Sequence, residues 1–221
     1  MCAVIIEESI RIPDWVSDLA SFRKWARSPE FPQSGRLSYL DGEVWVDMSP
    51  ERLFSHNRVK TEFTSVLALL VKQNREGMLF SDRTLLSNTR AGLSTEPDAL
   101  YVSHESIRGD RVHFIEGMGE DYVEIEGTPD LVLEVVSPKS VHKDTKRLLR
   151  AYGRAGVREY WLVDARGGRT RFSIFRLSGR RGYVPVPKEN GWLASEVFGK
   201  SFKLTVKKGE LGYPDFTLSV R

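Results

Sequence analysis

Residues 128–140, "TPDLVLEVVSPKS", decide the fold of this sequence. The run from Leu131 to Val136 is as apolar as a buried strand, yet Glu134 stands in its middle. Because the side chains of a strand alternate between its two faces, Glu134 would share its face with Val132 and Val136. Burying an isolated carboxylate costs several kcal/mol, so Glu134 requires an ion partner, a hydrogen-bond donor or a metal.

Two carboxylates are candidate partners of Glu134 in the sequence. Asp130 is near, but four residues of strand span about 13 Å, too far for two carboxylates to share one cation. We therefore expect Asp130 to end the turn before the strand. Asp98, in "EPDALYV" (residues 96–102), also follows a proline at the start of an apolar strand. Neighbouring strands lie about 4.8 Å apart, so Asp98 could meet Glu134 if their strands are adjacent.

Hydrophobic periodicity and turn signals predict the other elements. Asp41-Gly42 predicts a hairpin between two alternating runs. Helices are predicted around Trp15–Trp25, from a Ser55 cap to Gly77, and from a Ser140 cap to Gly156. The acidic stretch from Ser106 to Asp121 is predicted to be a loop, and the remaining apolar runs are predicted strands. This order indicates an α/β class, with α+β left open, built on one mixed sheet with helices against it.

Composition narrows the class of protein. The chain has 221 residues, of which 40% are hydrophobic, which is enough to bury one domain core. Cys2 is the only cysteine, which excludes an internal disulfide and a multi-cysteine zinc site. No apolar run approaches the roughly 20 residues that span a bilayer, and the first residues lack the basic region of a signal peptide. We therefore predict a cytoplasmic protein that does not interact with membranes.

The charges are unevenly distributed, although the net charge is only +3. Residues 96–134 contain eleven Asp or Glu and two Arg, and residues 139–181 contain thirteen Lys or Arg and three Asp or Glu. Clustered carboxylates beside a basic stretch are typical of a protein that holds a cation while it binds a polyanion. A solvated surface with uneven charge would give the same pattern, so the charge pattern leaves both interpretations open.

Several motifs along the chain together resemble those of one known superfamily. They are "FRKWARSPEFP" (22–32), "YLDGEVWVDMSPE" (39–51), His56, "EPD" (96–98), "PDLVLEVVSP" (129–138) and "KDTKRLLRAYGRAGVREYWLVDAR" (143–166). A Pro-Asp at the start of one strand, a Glu on the next strand and a basic residue near the following helix resemble the PD-(D/E)xK superfamily. More closely, the chain resembles the restriction-endonuclease-like Uma-two family within it, over most of its length.

The resemblance implies a fold, an activity and a set of site residues. The fold would be restriction-endonuclease-like, a single domain over residues 1–221 with an N-terminal helical extension (1–35) and a core (36–221) that ends in added strands. The activity would be hydrolysis of DNA phosphodiester bonds by a homodimer that depends on Mg²⁺ or Mn²⁺. The metal ligands would be Asp98, Glu134 and the backbone carbonyl of Val135, and the two carboxylates would also be catalytic.

The sequence departs from this pattern at the lysine. The superfamily places a lysine two residues after the glutamate, where this chain has Val136, and the family's alternative place on the next helix is Leu148. Lys143 and Lys146 are the remaining catalytic candidates, and Lys143 is preferred. A protein without the lysine could be a catalytically inactive nucleic-acid-binding or scaffold protein, which we keep as the alternative function.

Other residues carry alternative interpretations of the site. His56 matches a family histidine that could activate a water, and Glu62 on the same helix could reach the metal. Glu134 could instead form a structural ion pair with Arg158, and Asp98 could be only a turn residue.

Overall fold

The computed structural model describes residues 10–117 and 121–221, so Cys2 and Glu120 lie outside the described residues. The helices are α1 (Leu19–Ala26), α2 (Arg58–Asn74), α3 (His104–Arg108) and α4 (Leu149–Ala155). The first eight strands are β1 (Arg36–Leu40), β2 (Glu43–Asp47), β3 (Gly77–Ser81), β4 (Leu85–Asn88), β5 (Leu93–Thr95), β6 (Ala99–Ser103), β7 (Val112–Glu116) and β8 (Tyr122–Gly127). The others are β9 (Leu131–Val135), β10 (Glu159–Asp164), β11 (Arg171–Leu177), β12 (Tyr183–Pro185), β13 (Leu193–Ser195), β14 (Lys200–Lys208) and β15 (Pro214–Val220).

The strands form two six-stranded sheets and one three-stranded sheet. The first sheet has the order β2-β1-β5-β4-β8-β7, the second β12-β11-β10-β9-β6-β3, and the third β13-β14-β15. Both large sheets mix parallel and antiparallel pairs. The predicted mixed α/β class is confirmed, but the strands divide between two large sheets where the order of elements suggested one.

Strand β9 lies at the centre of the second sheet, parallel to β10 and antiparallel to β6. Leu131, Leu133 and Val135 face the core formed with α2 and the three-stranded sheet. Val132 faces the opposite core, where it packs with Tyr152 of α4. The predicted alternation is therefore confirmed, and every residue of β9 is buried.

The predicted hairpin at Asp41-Gly42 is confirmed as β1 and β2. Both turn residues have positive φ, 52° and 86°, which the right-handed twist of a two-residue hairpin requires. Two arginines near α4 hold this tip: Arg147 binds Glu43 and lies over the ring of Trp45, and Arg154 binds Asp41. The hairpin is thereby fastened to the helix that follows β9.

Helices α2 and α4 begin later than their predicted caps. Helix α2 follows a π-helical turn at Leu53–Asn57, so Ser55 lies within that turn and caps nothing. Helix α4 follows a second π-helical turn at Lys143–Leu148, and Gly156 ends it with a φ of 82°, as predicted. Helix α2 ends at Arg75, which adopts the left-handed conformation, rather than at Gly77. Such turns often mark functional sites, and both face the cleft described below.

The prediction of a loop over residues 106–121 is wrong for its described part. Helix α3 ends within this stretch, and β7 pairs with β8. The strand signal was concealed because Val112 and Phe114 alternate with polar residues inside an acidic segment. Residues 118–120 lie outside the described residues. Within the described ranges, no helix is long and apolar enough to cross a bilayer.

Candidate functional site

A cleft of about 370 Å³ opens where the first sheet meets the second. It is lined from the first sheet by the β1–β2 hairpin and from the second by residues around β6 and β9, and the two π-helical turns contribute to its wall. Its charged lining residues are Arg36, Asp47, Glu51, Arg52, His56, Asp82, Arg83, Asp98, Glu134, Lys139, Lys143 and Asp144.

Asp98 and Glu134 meet at one wall of this cleft. Strands β6 and β9 are neighbours, and the pair Ala99↔Leu133 places Asp98 opposite Glu134 at the next register position. The backbone N–H of Val135 donates a hydrogen bond of 2.7 Å to Oδ2 of Asp98. The predicted adjacency of the two strands is confirmed, and Asp98 is more than a turn residue because its buried carboxylate reaches across to β9.

Two cationic side chains lie near the other carboxylate oxygen of Asp98, Oδ1. Arg36 donates a hydrogen bond of 2.9 Å to Oδ1 of Asp98 and another of 2.9 Å to Asp82. Burial opposes the charged form of Arg36, but the two carboxylates outweigh it and raise the pKa of the guanidinium. Lys60 lies 3.9 Å from Asp98 and is itself buried. Asp98 therefore has two cationic side chains beside it, in addition to the backbone donor from β9.

Glu134 has a neutral partner, Tyr152. The tyrosine hydroxyl donates a hydrogen bond of 2.7 Å to Oε1 of Glu134. Burial raises the pKa of Glu134 well above its usual value, and the nearby carboxylates Asp98 and Asp144 raise it further. The alternative ion pair with Arg158 is wrong, since Arg158 lies against Asp130 at 3.5 Å.

Asp130 is a structural carboxylate, as expected. It is fully buried and accepts hydrogen bonds from the backbone N–H of Ser103 at 2.7 Å and from the hydroxyl of Ser106 at 2.9 Å. These bonds fasten the start of β9 to the N-terminus of α3. Asp130 does not line the cleft.

Asp144 is a third buried carboxylate of the cleft, which the sequence did not single out. Its Oδ2 accepts a short hydrogen bond from Ser140, and its buried Oδ1 has no partner within the described residues. Burial raises the pKa of Asp144 to about 6, although the charge of Lys143 opposes this rise. Glu134 and Asp144 are therefore two buried carboxyl groups whose charged forms the surrounding protein does not fully stabilise.

These residues fit a hard divalent cation. Among the described residues no three His, Cys, Asp or Glu side chains converge as a complete metal cluster. Mg²⁺, however, usually keeps several waters and binds through one or two carboxylates together with substrate phosphates. One oxygen of Asp144 has no hydrogen-bond partner within the described residues, and the pKa of Glu134 is raised. A bound cation would stabilise the charged form of both carboxylates. Asp98, Glu134 and Val135 all line the cleft, as the predicted ligand set requires.

The two candidate lysines occupy different environments. Lys143 lines the cleft, where its charge lowers the pKa of both Glu134 and Asp144 against the effect of burial. Lys146 is exposed and does not line the cleft. The two positions where the family places a lysine, Val136 and Leu148, are fully buried.

His56 lies in the site, whereas Glu62 does not. The Nδ1 atom of His56 is 2.8 Å from Oε1 of Glu51, and its Nε2 atom is 3.5 Å from Oδ2 of Asp98. Glu62 accepts a hydrogen bond of 2.7 Å from the backbone N–H of Leu218 in β15. The suggestion that Glu62 reaches the metal is therefore wrong, because that carboxylate is engaged by the third sheet.

Sequence reasoning missed four residues around the carboxylates: Arg36, Lys60, Asp144 and Tyr152. Tyr152 has the apolar ring of a core residue, so its sequence position gives no sign that its hydroxyl binds Glu134. Asp144 carried a signal, since it is an acidic residue in the first turn of an amphipathic segment directly after β9. Nothing local in the sequence connects Arg36 with Asp98, because the contact joins two sheets.

Many charged residues of the acidic segment (96–134) and the basic segment (139–181) form ion pairs within the protein. Glu124 and Glu126 bind Arg23 of α1. Within the basic segment, the arginines already bound to carboxylates are Arg147, Arg154, Arg158, Arg166 and Arg176. The cations left to face the cleft from this segment are Lys139 and Lys143. The polyanion interpretation therefore rests on the cleft rather than on the whole segment.

Comparison with known proteins gives one family match and a similar solved structure. The model of the Uma2 family, described as "Putative restriction endonuclease", matches residues 19–207. Among solved structures, the chain is similar to a protein from Anabaena variabilis ATCC 29413 titled a "putative nuclease belonging to DUF820", with a TM-score of 0.59. The two are 17% identical, and the match covers 82% of this chain and 90% of the other. No curated protein matches this chain. The structural likeness establishes a shared nuclease-like fold.

Proposed function

The chain belongs to the Uma2 family, and from this membership we propose that it is an endonuclease that hydrolyses DNA phosphodiester bonds with Mg²⁺ or Mn²⁺. The observation that carries the proposal is the meeting of Asp98 and Glu134 on adjacent strands at one cleft. Cations also line that cleft, namely Arg36, Arg52, Arg83, Lys139 and Lys143, which suits a polyanionic substrate.

Each carboxylate is oriented by a different part of the fold. Arg36 and the Val135 N–H hold the two oxygens of Asp98, and the Tyr152 hydroxyl holds one oxygen of Glu134. Asp98, Glu134 and the carbonyl of Val135 would hold the cation. When bound there, Mg²⁺ would polarise the phosphate and lower the pKa of a coordinated water.

Lys143 and His56 are the residues proposed to assist. Lys143 places a positive charge beside Glu134 and Asp144, where it would stabilise negative charge that develops on the phosphate. The Nε2 atom of His56 lies 3.5 Å from Oδ2 of Asp98, beside the proposed metal site, and in the tautomer in which Nδ1 donates to Glu51 it would accept a proton from the attacking water. Lys146, being exposed and away from the cleft, has no part in this proposal.

Cleavage of supercoiled plasmid tests the proposal. Wild type and Glu134→Gln are compared with Mg²⁺, with Mn²⁺ and in EDTA, and Glu30→Gln, at an exposed position away from the cleft, is the control. We expect nicking by wild type and by Glu30→Gln only when the metal is present. Equal cleavage by Glu134→Gln and wild type would overturn the proposal.

A second candidate function is nucleic-acid binding or scaffolding without cleavage. It is favoured by one observation: both positions where the family places a lysine are buried and apolar. Such a binding protein would bind DNA with a steep salt dependence and show no heat of Mg²⁺ binding in calorimetry. A scaffold would show neither property.

The proposal extends to assembly and location. Two sites are needed to cut both strands of a duplex, so we propose a homodimer acting on DNA in the cytoplasm. Light scattering that gave only a monomer mass over a range of concentrations would contradict the dimer.

A further inference from the structure

A second groove, of about 550 Å³, lies directly beside the cleft. The two share Glu51 and Arg52 in their linings, so the segment that leads into α2 separates one from the other. The second groove is lined mainly by apolar residues, among them Phe54, Val206 and Phe216. A substrate strand that leaves the cleft past Arg52 would enter it.

The rim of this groove carries an exposed aromatic pair. The rings of Phe54 and Tyr213 are parallel within 6°, with centroids 4.7 Å apart. Tyr213 is 55% exposed although Phe54 covers one face of its ring, so its other face is open to solvent. Leu53 and Leu211 are also exposed. A set of exposed apolar side chains beside a cleft marks a binding surface.

The charges around the aromatic pair favour a polyanion over a protein partner. Three exposed cations line or adjoin the groove, Arg52, Arg169 and Lys208, and within the described residues none has a carboxylate within ion-pair distance. Three carboxylates lie near them: Glu51, which is bound by Lys60, Glu210 in the β14–β15 turn, and Asp215, which is bound by Arg58. Open aromatic faces among free cations are the elements of a surface for unpaired nucleic-acid bases.

We propose that this groove stacks unpaired bases on Tyr213 and Phe54, so that the substrate has a single-stranded portion beside the cleaved bond. The inference rests on the proposed function, because it assigns a substrate class to the same site. Every base has a π face, so stacking on a tyrosine holds a strand without reading its sequence. Arg52 and Lys208 then contact phosphates of the same strand.

Binding measured in EDTA tests the groove separately from cleavage. The probes are a fluorescein-labelled single strand and the blunt duplex of the same sequence, and the readout is anisotropy. We expect Tyr213→Ala to weaken single-strand binding by roughly tenfold, the effect of losing one stacked base, and Phe54→Ala to act in the same direction. Tyr213→Trp should retain affinity. Tyr122→Ala is the matched control, because Tyr122 is 57% exposed, packs beside Phe114 and lies outside the groove.

Salt dependence separates stacking from charge. Lys208→Gln should lower the slope of log affinity against log salt by about 0.7, as expected for one lost contact to a single strand, whereas Tyr213→Ala should leave the slope unchanged. Equal single-strand affinity of Tyr213→Ala and Tyr122→Ala would overturn the inference. So would light scattering in which Tyr213→Ala converts a dimer to a monomer while strand affinity stays the same, since the groove would then hold a second copy. Absence of cleavage by wild type would defeat the proposed function and leave the binding result standing.

Discussion

The hydroxyl of Tyr152 donates a 2.7 Å hydrogen bond to Oε1 of Glu134, and both side chains are almost wholly buried. Tyr152 belongs to α4 and Glu134 to β9, so the bond fastens the helix to the strand at the wall of the cleft. It gives the carboxylate in the apolar strand a donor that does not neutralise its charge. Glu134 is thus fixed in orientation while it keeps the capacity to bind a cation.

Tyr152→Phe removes this donor and keeps the ring. We expect the free energy of unfolding to fall by about 1–3 kcal/mol, because a buried carboxylate oxygen loses its partner. We also expect affinity for Mn²⁺ to fall about tenfold, because residues that orient a metal ligand typically matter on that scale. Urea unfolding and calorimetric titration with Mn²⁺ measure the two effects.

Tyr183→Phe is the control for this prediction. The hydroxyl of Tyr183 donates a 2.8 Å hydrogen bond to the backbone carbonyl of Val157, away from the cleft. The control should lose stability and keep its Mn²⁺ affinity. Equal Mn²⁺ affinity in both variants would show that Tyr152 is only a core residue.

The crowding of carboxylates predicts a pH dependence at Asp144. Burial raises its pKa from 3.8 to about 6 in the folded protein, so the folded state binds the proton more tightly than the unfolded state. The wild type should therefore lose more stability than Asp144→Asn as pH rises from about 4 to 6, because the variant retains only the raised pKa of Glu134. In EDTA at pH 8 the variant should be more stable by about 3 kcal/mol, and at pH 3.5 the two should be similar. Urea unfolding at the two pH values measures the difference. A difference in stability that stays constant over this range would contradict the prediction.

The sequence predicted the centre of the site because each of its two carboxylates lies in a recognisable local pattern. The apolar run around Glu134 and the proline before Asp98 are local patterns. The alternation of side chains between the two faces follows from strand geometry alone. The residues that complete the site are contributed by other elements. Arg36 reaches Asp98 from the other sheet, and nothing in the neighbourhood of either residue records that contact.

The division into two sheets was also beyond the sequence. Strand β5 pairs with β1 and β4, while β6 follows it after a short connection and joins the other sheet. Periodicity identifies both strands but does not say which neighbour each takes. The loop predicted over residues 106–121 failed for a related reason, since β7 is recognisable as a strand only through its pairing with β8.

Introducing a lysine at Val136, where the superfamily has one, should destabilise the protein without increasing plasmid cleavage. Val136 is fully buried, two residues after Glu134, and a lysine there would have to bury its ammonium. We expect Val136→Lys to lower the free energy of unfolding by several kcal/mol and to give no gain in plasmid cleavage. Val136→Met, similar in length but uncharged, is the control and should cost clearly less. Thermal unfolding compares them, and a Val136→Lys protein as stable as Val136→Met would show that the ammonium reaches the cleft.

The ion pairs of α1 should contribute strongly to stability. Arg23 binds Glu124 at 2.6 Å and Glu126 at 2.8 Å, and the side chain of Glu124 is fully buried. Without Arg23 the buried Glu124 retains only Arg27, at 3.0 Å, so we expect Arg23→Met to cost about 2 kcal/mol. Arg58→Met removes the exposed pair with Asp215, at 3.0 Å, and should cost less than about 1 kcal/mol. Urea unfolding distinguishes the two variants, and equal losses would contradict a larger contribution from the Arg23 pairs than from an exposed pair.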